Sequence, residues 1–243
     1  WSSDVCSSDL EAIRAAGWNN GLDAEIVWVD SEKVGYDDYP KLKLDGIVVP
    51  GGFGSRGIEG KIEAAKFARK NSLPYLGLCL GMQVAVIEFA REVLKDPSAN
   101  SQEVDSKAKH QVVHIMADQV GVDLGGSMRL GDYKAKLNKK SRTYLAYGQP
   151  TVVERHRHRY EANNHYLGRV ENAGLVISAR TPHEALCEIM ELPRTGEHGH
   201  PWYMGVQYHP EFKSTPRDGH PLFISFIKAA LAHKQAVSQR KAA

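Results

Sequence analysis

Cysteine is scarce, with three in 243 residues. That excludes a scaffold stapled by disulfides and makes a reducing, cytoplasmic setting the default expectation. An excess of either charge is also missing. The 31 basic and 29 acidic residues leave a formal net charge of +2, so the composition makes no case for nucleic acid or an anionic membrane as partner. No apolar run approaches the length of a membrane-crossing helix, and the N-terminus has no basic region followed by an apolar one, as a signal peptide would. Linkers rich in Gly, Ser or Pro are lacking too, which argues for one domain. What is left is a globular balance, 42% hydrophobic and 25% charged.

The first ten residues stand apart. They hold a near repeat, Ser-Ser-Asp-Val then Ser-Ser-Asp-Leu, without an initiator Met. We expect residues 1–10, Cys6 included, to be a non-native scar, and residues 11–243 to form the domain. The sequence after the scar opens inside a helix, residues 11–17. An α/β chain normally places a strand before such a helix, so the expectation is a fragment without upstream sequence and without that strand.

From residue 24 the pattern is that of alternating strands and helices. Residues 24–30 are β-branched and aromatic and predict a strand. Residues 46–50, Gly-Ile-Val-Val-Pro, form a continuous apolar run of the kind found in a parallel sheet covered on both faces. Residues 58–70 predict an amphipathic helix. Residues 73–76 predict a buried strand, and residues 82–91 repeat apolar residues at helical spacing. After a polar loop at 96–109 the texture shifts to short strands at 112–116, 128–130, 133–137 and 151–155, read as an antiparallel section. A short helix at 163–172, strands at 175–179, 186–191 and 203–208, and a C-terminal helix at 221–234 follow. The expected fold is α/β, a three-layer sandwich with a mostly parallel central sheet and a small antiparallel section.

Between the strand at 73–76 and its helix lies Gly77-Leu78-Cys79-Leu80-Gly81. A cysteine at a strand-to-helix corner, with a glycine two residues away on each side, has the pattern of a nucleophile elbow. The corner lifts the sulfur above the sheet edge, and the helix N-terminus favours thiolate over thiol. Taken alone, Cys79 also suits an inert buried cysteine. Two further stretches bear on the choice. His209-Pro210-Glu211 ends an apolar strand, on the carboxyl edge where α/β sheets gather their binding groups. There His209 could take the thiol proton while Glu211, two residues on and so on the same side of an extended chain, fixes its orientation. The Gly51-Gly52-Phe53-Gly54 loop follows its own strand at the same edge. Its N–H groups, with that of Leu80, could form an oxyanion hole. It could also cradle a phosphate, although it lacks the Gly-Lys-Ser/Thr ending of a P-loop. His209-Pro210 could equally be a strand terminus.

The stretches Pro50-Gly51-Gly52-Phe53-Gly54, Gly77-Leu78-Cys79-Leu80-Gly81-Met82-Gln83 and His209-Pro210-Glu211 resemble the three signatures of class I, triad-type glutamine amidotransferases. Arg155-His156-Arg157-His158-Arg159-Tyr160-Glu161, Ser127-Met128-Arg129-Leu130-Gly131 and residues 212–221 narrow the resemblance to the glutaminase domains of the CTP synthase family, over nearly the whole chain after Leu10. The resemblance implies that Cys79 attacks the glutamine side-chain amide, His209 shuttles the proton, Glu211 orients it, and the N–H groups of Gly52 and Leu80 hold the oxyanion. A glutamyl thioester then hydrolyses to release ammonia. It implies a glutamine pocket of Gly52, Gln83, Glu103, Arg159 and Tyr160, in which a carboxylate suits the α-ammonium and an arginine the α-carboxylate. It associates Phe53 and Arg129 with activation by GTP, and it implies no metal in this domain. ATP and Mg²⁺ would serve an N-terminal synthetase domain that aminates UTP to CTP, in a homotetramer. Arg155 to Arg159 could instead be a solvated basic strand or a polyphosphate patch. Another Cys-His-Glu γ-glutamyl hydrolase, or an inert domain kept for assembly or regulation, are the alternatives.

Overall fold

The structure, a computed structural model, describes residues 3–116, 128–183 and 185–242. Trp1 and Ser2 of the expected scar, and Ser127 of one family stretch, lie outside the described residues. The first helix, α1, runs without a break over Ser3–Asn19. After it comes the first departure from expectation, because residues 24–30 join no sheet. A short helix α2 (Tyr39–Leu42) leads to β1 (Ile47–Val49), the glycine-rich loop and α3 (Ile58–Lys70). The chain then forms β2 (Tyr75–Leu78) and α4 (Leu80–Glu92). The polar stretch at 96–109 contains a short strand, β3 (Ala99–Ser101), ahead of β4 (His110–Ile115).

Residues 128–137, expected as two strands, are one: β5 spans Arg129–Leu137 and passes through Gly131 at φ 98°. A backbone angle in that region is open to glycine at little steric cost. Next come α5 (Arg142–Tyr147), β6 (Thr151–His158), β7 (Tyr160–Ala162), α6 (Asn164–Asn172), β8 (Val176–Arg180), β9 (Cys187–Glu191) and β10 (Tyr203–Val206). A 3₁₀ turn at Pro210–Lys213 and the long α7 (Pro221–Ala242) complete the described chain.

The large sheet has the order β1-β2-β10-β9-β8-β5-β6. Its parallel part is β1, β2 and β10, and the antiparallel section continues the same sheet from β9 to β6. A small sheet, β3-β4-β7, sits beside it. Alternation along the central strands builds the two flanking layers. Tyr75 and Tyr203 point into the core shared with α3 and α4, where their rings stack with centroids 4.5 Å apart. Leu76, Leu78, Met204 and Val206 point the other way, into the core closed by α1 and α7. All six side chains are buried, so the strands that carry the candidate site are held from both faces.

Candidate active site

The corner at Cys79 is a strained turn. Cys79 adopts φ 50° and ψ −99°, a region costly for any residue with a side chain. It caps α4, and its own amide donates to the Val206 carbonyl at 2.7 Å. Close packing explains the flanking glycines. A Cβ on Gly81 would lie 2.1 Å from the Val49 carbonyl oxygen, and one on Gly77 would lie 2.5 Å from the Gly81 backbone. Tyr75 reinforces the turn by donating its hydroxyl to the Gly81 carbonyl at 2.8 Å.

Because β2 and β10 are neighbours in the sheet, the residues just past their ends meet. Gln207 Nε2 points at Cys79 Sγ from 3.7 Å. His209 and Cys79 both lie against Gly51, where an added Cβ would meet His209 Cε1 at 2.7 Å and Cys79 Cβ at 3.7 Å, and His209 Nδ1 hydrogen-bonds Glu211 Oε1 at 2.6 Å. Glu211 does not reach His209 along an extended chain, as its spacing suggested. The backbone turns into the 3₁₀ segment at Pro210, and that turn folds the carboxylate back on the ring. His209, Glu211 and Cys79 are all buried, and the Phe212 ring stacks on His209 at 5.0 Å. Burial works to lower the pKa of His209, but the hydrogen bonds to Cys79 and Glu211, then their charges, lift it to about 10. The site therefore favours an imidazolium beside the sulfur at neutral pH.

The glycine loop closes the other side. A Cβ on Gly51 would meet His209 Cε1 at 2.7 Å, and one on Gly52 would touch Leu80 Cδ2 at 3.2 Å. The loop backbone thus lies against His209, Cys79 and Leu80, where amides can face a developing negative oxygen. Gly54 donates its amide to Glu103 Oε1 at 2.9 Å, which brings Glu103 to this loop. Gln83, one turn into α4, donates to the Tyr160 carbonyl at 2.9 Å and reaches Gln207 Oε1 at 3.4 Å. The backbone of Arg159 holds the end of β4, its carbonyl accepting from the Met116 amide.

The two positions associated with GTP differ in character. Phe53 is 86% exposed at the loop tip. Arg129 is 4% exposed; its Nη1 donates to Glu188 at 2.5 Å and its guanidinium lies over Tyr133. Glu188 also takes His156 Nε2 at 2.6 Å, so this arginine completes a buried charge network and offers no exposed group for a nucleotide.

Sequence reasoning missed three residues close to Cys79, His209 and Glu211, one of which, Asp9, falls in the stretch expected to be a scar. Gln207 had a signal, since it lies two positions before His209. Burial drives the pKa of His158 well below the ordinary histidine value, with the positive charges of His156 and Arg129 adding to the effect. Asp9 of α1 lies beside the His209–Glu211 pair, buried, with neither carboxylate oxygen hydrogen-bonded. Burial, and secondarily the Glu211 charge, push its pKa up to about 8. Among the described residues no group of three or more His, Cys, Asp or Glu side chains could hold a metal ion, and no helix is long and apolar enough to cross a membrane.

Comparison with known proteins agrees with this geometry. A family model described as glutamine amidotransferase class-I matches residues 3–229. CTP synthase of Roseiflexus sp. (strain RS-1) is 52% identical over 231 residues, covering 93% of this chain and 41% of that protein. CTP synthase of Thermomicrobium roseum is 50% identical over 228 residues, with 93% and 40% covered. The chain thus spans about two fifths of the length of these curated relatives. Among solved structures, the glutaminase domain of Trypanosoma brucei CTPS with bound acivicin superposes with a TM-score of 0.86 at 39% identity, over 96% of this chain and 91% of that one. A Thermotoga maritima glutamine amidotransferase, 10% identical with a TM-score of 0.55 over 91% and 90% of the two chains, shares the fold. With its elbow cysteine, its strand-end histidine and these relatives, the chain belongs to the class I glutamine amidotransferase family, as a domain of the type that forms the glutaminase part of CTP synthases.

Proposed function

We propose that this domain hydrolyses the side-chain amide of L-glutamine and supplies the ammonia to a CTP synthase reaction, the amination of UTP to CTP. The observation that carries the reading is the buried Cys79–His209–Glu211 chain at the end of two adjacent parallel strands. Cys79 Sγ gives its proton to His209 and attacks the amide carbon. The carbonyl oxygen takes up the negative charge against the N–H groups of Gly52 and Leu80. Collapse of the tetrahedral adduct breaks the C–N bond, and the His209 proton leaves with the ammonia. Water then adds to the glutamyl thioester with His209 as base, giving glutamate and the free thiol. Glu211 keeps Nδ1 protonated, so Nε2 is the nitrogen that exchanges protons with sulfur.

Glu103, Arg159, Tyr160 and Gln83 form the glutamine pocket in this reading, supported by the contacts of Glu103 with the glycine loop and of Gln83 with Tyr160. ATP and Mg²⁺ belong to a synthetase domain that is this domain's partner in a cytoplasmic homotetramer. GTP acts as activator, with Phe53 as the exposed contact. Acivicin, the compound bound in the trypanosome glutaminase domain, is the probe that tests the assignment. It should label the chain once, on Cys79, with loss of ammonia release from glutamine, and Cys79→Ser should lose both. Labelling at Cys187, or none in a folded sample, overturns the reading.

A further inference from the structure

A chain of buried amides runs from the backbone of β7 to the sulfur of Cys79. In the β4–β7 ladder Arg159 bonds to β4 through its carbonyl and Asn163 through its amide, so the carbonyl of Tyr160 faces the other way. Two donors meet it there, His158 Nδ1 at 3.0 Å and Gln83 Nε2 at 2.9 Å. A carbonyl oxygen only accepts, so both groups present an N–H. For His158 that places the ring proton on Nδ1, and burial, which holds its pKa well below the ordinary histidine value, keeps the ring neutral. For Gln83 it fixes which end of the amide is NH₂. The second proton of that NH₂ points to Gln207 Oε1 at 3.4 Å. Gln207 is thereby turned so that its own NH₂ faces Cys79 Sγ, 3.7 Å away. Among the described residues that NH₂ has no other acceptor. Gln207 is 0% exposed, and its backbone amide donates to the Glu188 carbonyl of β9 at 2.9 Å. Water therefore does not compete for the contact, and the sheet holds its aim.

We infer that Gln207 is a further catalytic residue of the Cys79 site, donating an N–H to the sulfur and favouring its thiolate, with the Tyr160 carbonyl setting the direction of that donation through Gln83. The inference rests on Cys79 being the nucleophile of glutamine hydrolysis. An N–H bonds a thiolate more strongly than a thiol, because the acceptor is charged, and the thiolate is the attacking form. His209 also supports that form, but it gives up its proton when ammonia leaves. Gln207 has no proton to lose, so its support outlasts the first step. When water adds to the thioester the C–S bond breaks, its electron pair returns to sulfur, and the same N–H is there to receive the charge. The opposite setting of this amide would aim an oxygen lone pair at the sulfur and disfavour the thiolate. The anchor at Tyr160 therefore matters as much as the residue type at 207.

The test follows alkylation of Cys79 by iodoacetamide in the whole chain from about pH 5 to 10, with the labelled cysteine identified by mass spectrometry. The reagent is small and neutral and makes no use of a glutamine pocket. Gln207→Met keeps the length of the side chain and removes the N–H. It should react about tenfold more slowly near neutral pH, with the midpoint of the pH–rate profile raised by about one pH unit, and approach the parent rate at high pH. Ammonia release should lose kcat with little change in KM. In the parent, the NMR signal of the Gln207 side-chain NH₂ should titrate with the same midpoint and shift when Cys79 is alkylated, a readout that stands even if the variant does not fold. A folded Gln207→Met with a lower melting temperature and a parental midpoint shows a packing role and overturns the inference. So does an NH₂ signal indifferent to the state of Cys79. Both results leave glutamine hydrolysis standing, whereas a Cys79 inert in the parent overturns the inference together with the reading it rests on.

Discussion

Replacing Glu211 by glutamine separates the orienting role of the triad from its packing. Glu211 is buried and gives one oxygen to His209 Nδ1 at 2.6 Å, while the other has no hydrogen-bond partner. Glutamine has nearly the same shape, so the fold should survive. The charge is lost, and with it part of what lifts the His209 pKa to about 10 against burial. A hydrogen bond to a charged group is worth about 1.5–3 kcal/mol, or roughly ten- to 150-fold in rate. A glutamine that turns its amide NH₂ toward Nδ1 would also force the wrong tautomer and push the loss toward about 10⁴-fold. The assay is the rate of Cys79 alkylation by acivicin and by iodoacetamide from pH 5 to 10, beside steady-state ammonia release. Glu211→Gln should react more slowly with both reagents near neutrality and recover toward high pH, as the thiol ionises without help. A variant that stays within about twofold of the parent across the range would refute the view that Glu211 controls the proton on His209.

Asp9 should behave in the opposite sense. Its folded pKa is raised from 3.8 to about 8, so it opposes folding progressively as pH rises from about 4 to 8, and Asp9→Asn should gain on the parent over that window. The shift converts to an upper bound of about 6 kcal/mol, and coupling to Glu211 brings the expected gain to about 2–4 kcal/mol at pH 8, vanishing near pH 4, by denaturant titration. Gly81→Ala should cost about 3 kcal/mol or more, because the methyl would sit 2.1 Å from a backbone oxygen; a soluble variant with parental stability would contradict the packing described for the elbow. Arg129→Met strips the buried Glu188 of one of its two charged-group partners and should destabilise by about 3 kcal/mol in thermal or chemical unfolding; unchanged stability would return Arg129 to the candidates for a nucleotide contact. Glu103→Gln should raise KM for glutamine more than it lowers kcat, as measured by ammonia release, if its carboxylate faces the substrate ammonium.

The elbow was legible in the sequence because its determinants are local. Gly77, Cys79 and Gly81 sit within five residues, and the apolar strand and helix on either side are unambiguous. The helices α3 and α4 were readable for the same reason, as was the strand expected at 203–208, which ends at Val206. What escaped depends on partners distant in the chain. The buried network joins Arg129, His156 and Glu188 across three strands, and nothing in the local sequence of Arg129 distinguishes it from a surface arginine. Residues 24–30 have the composition of a strand, yet a strand exists only with a neighbour to bond. Residues 131–132 fell between two expected strands and are interior positions of β5. The small helix α5 has too few residues for a period to emerge. Glu211 was assigned to the right neighbour by the wrong local geometry, since the proline after His209 turns the chain where extension was assumed.

The link between the Cys79 amide and the Val206 carbonyl has a consequence for control of the domain. Cys79 is tied to Val206 where β2 and β10 end, and His209, three residues further on, donates its own amide to the Arg155 carbonyl of β6, so the alignment of sulfur and imidazole rests on three strands of the sheet. A regulator that detuned that alignment would have to disturb those strands. Its leverage lies on the opposite wall, in the glycine loop tethered to Glu103, where a small shift of two amides would open or close the pocket for the incoming oxygen. Signals from a partner or an effector should therefore register as changes in the occupancy of that wall, while the sulfur and its imidazole stay in register.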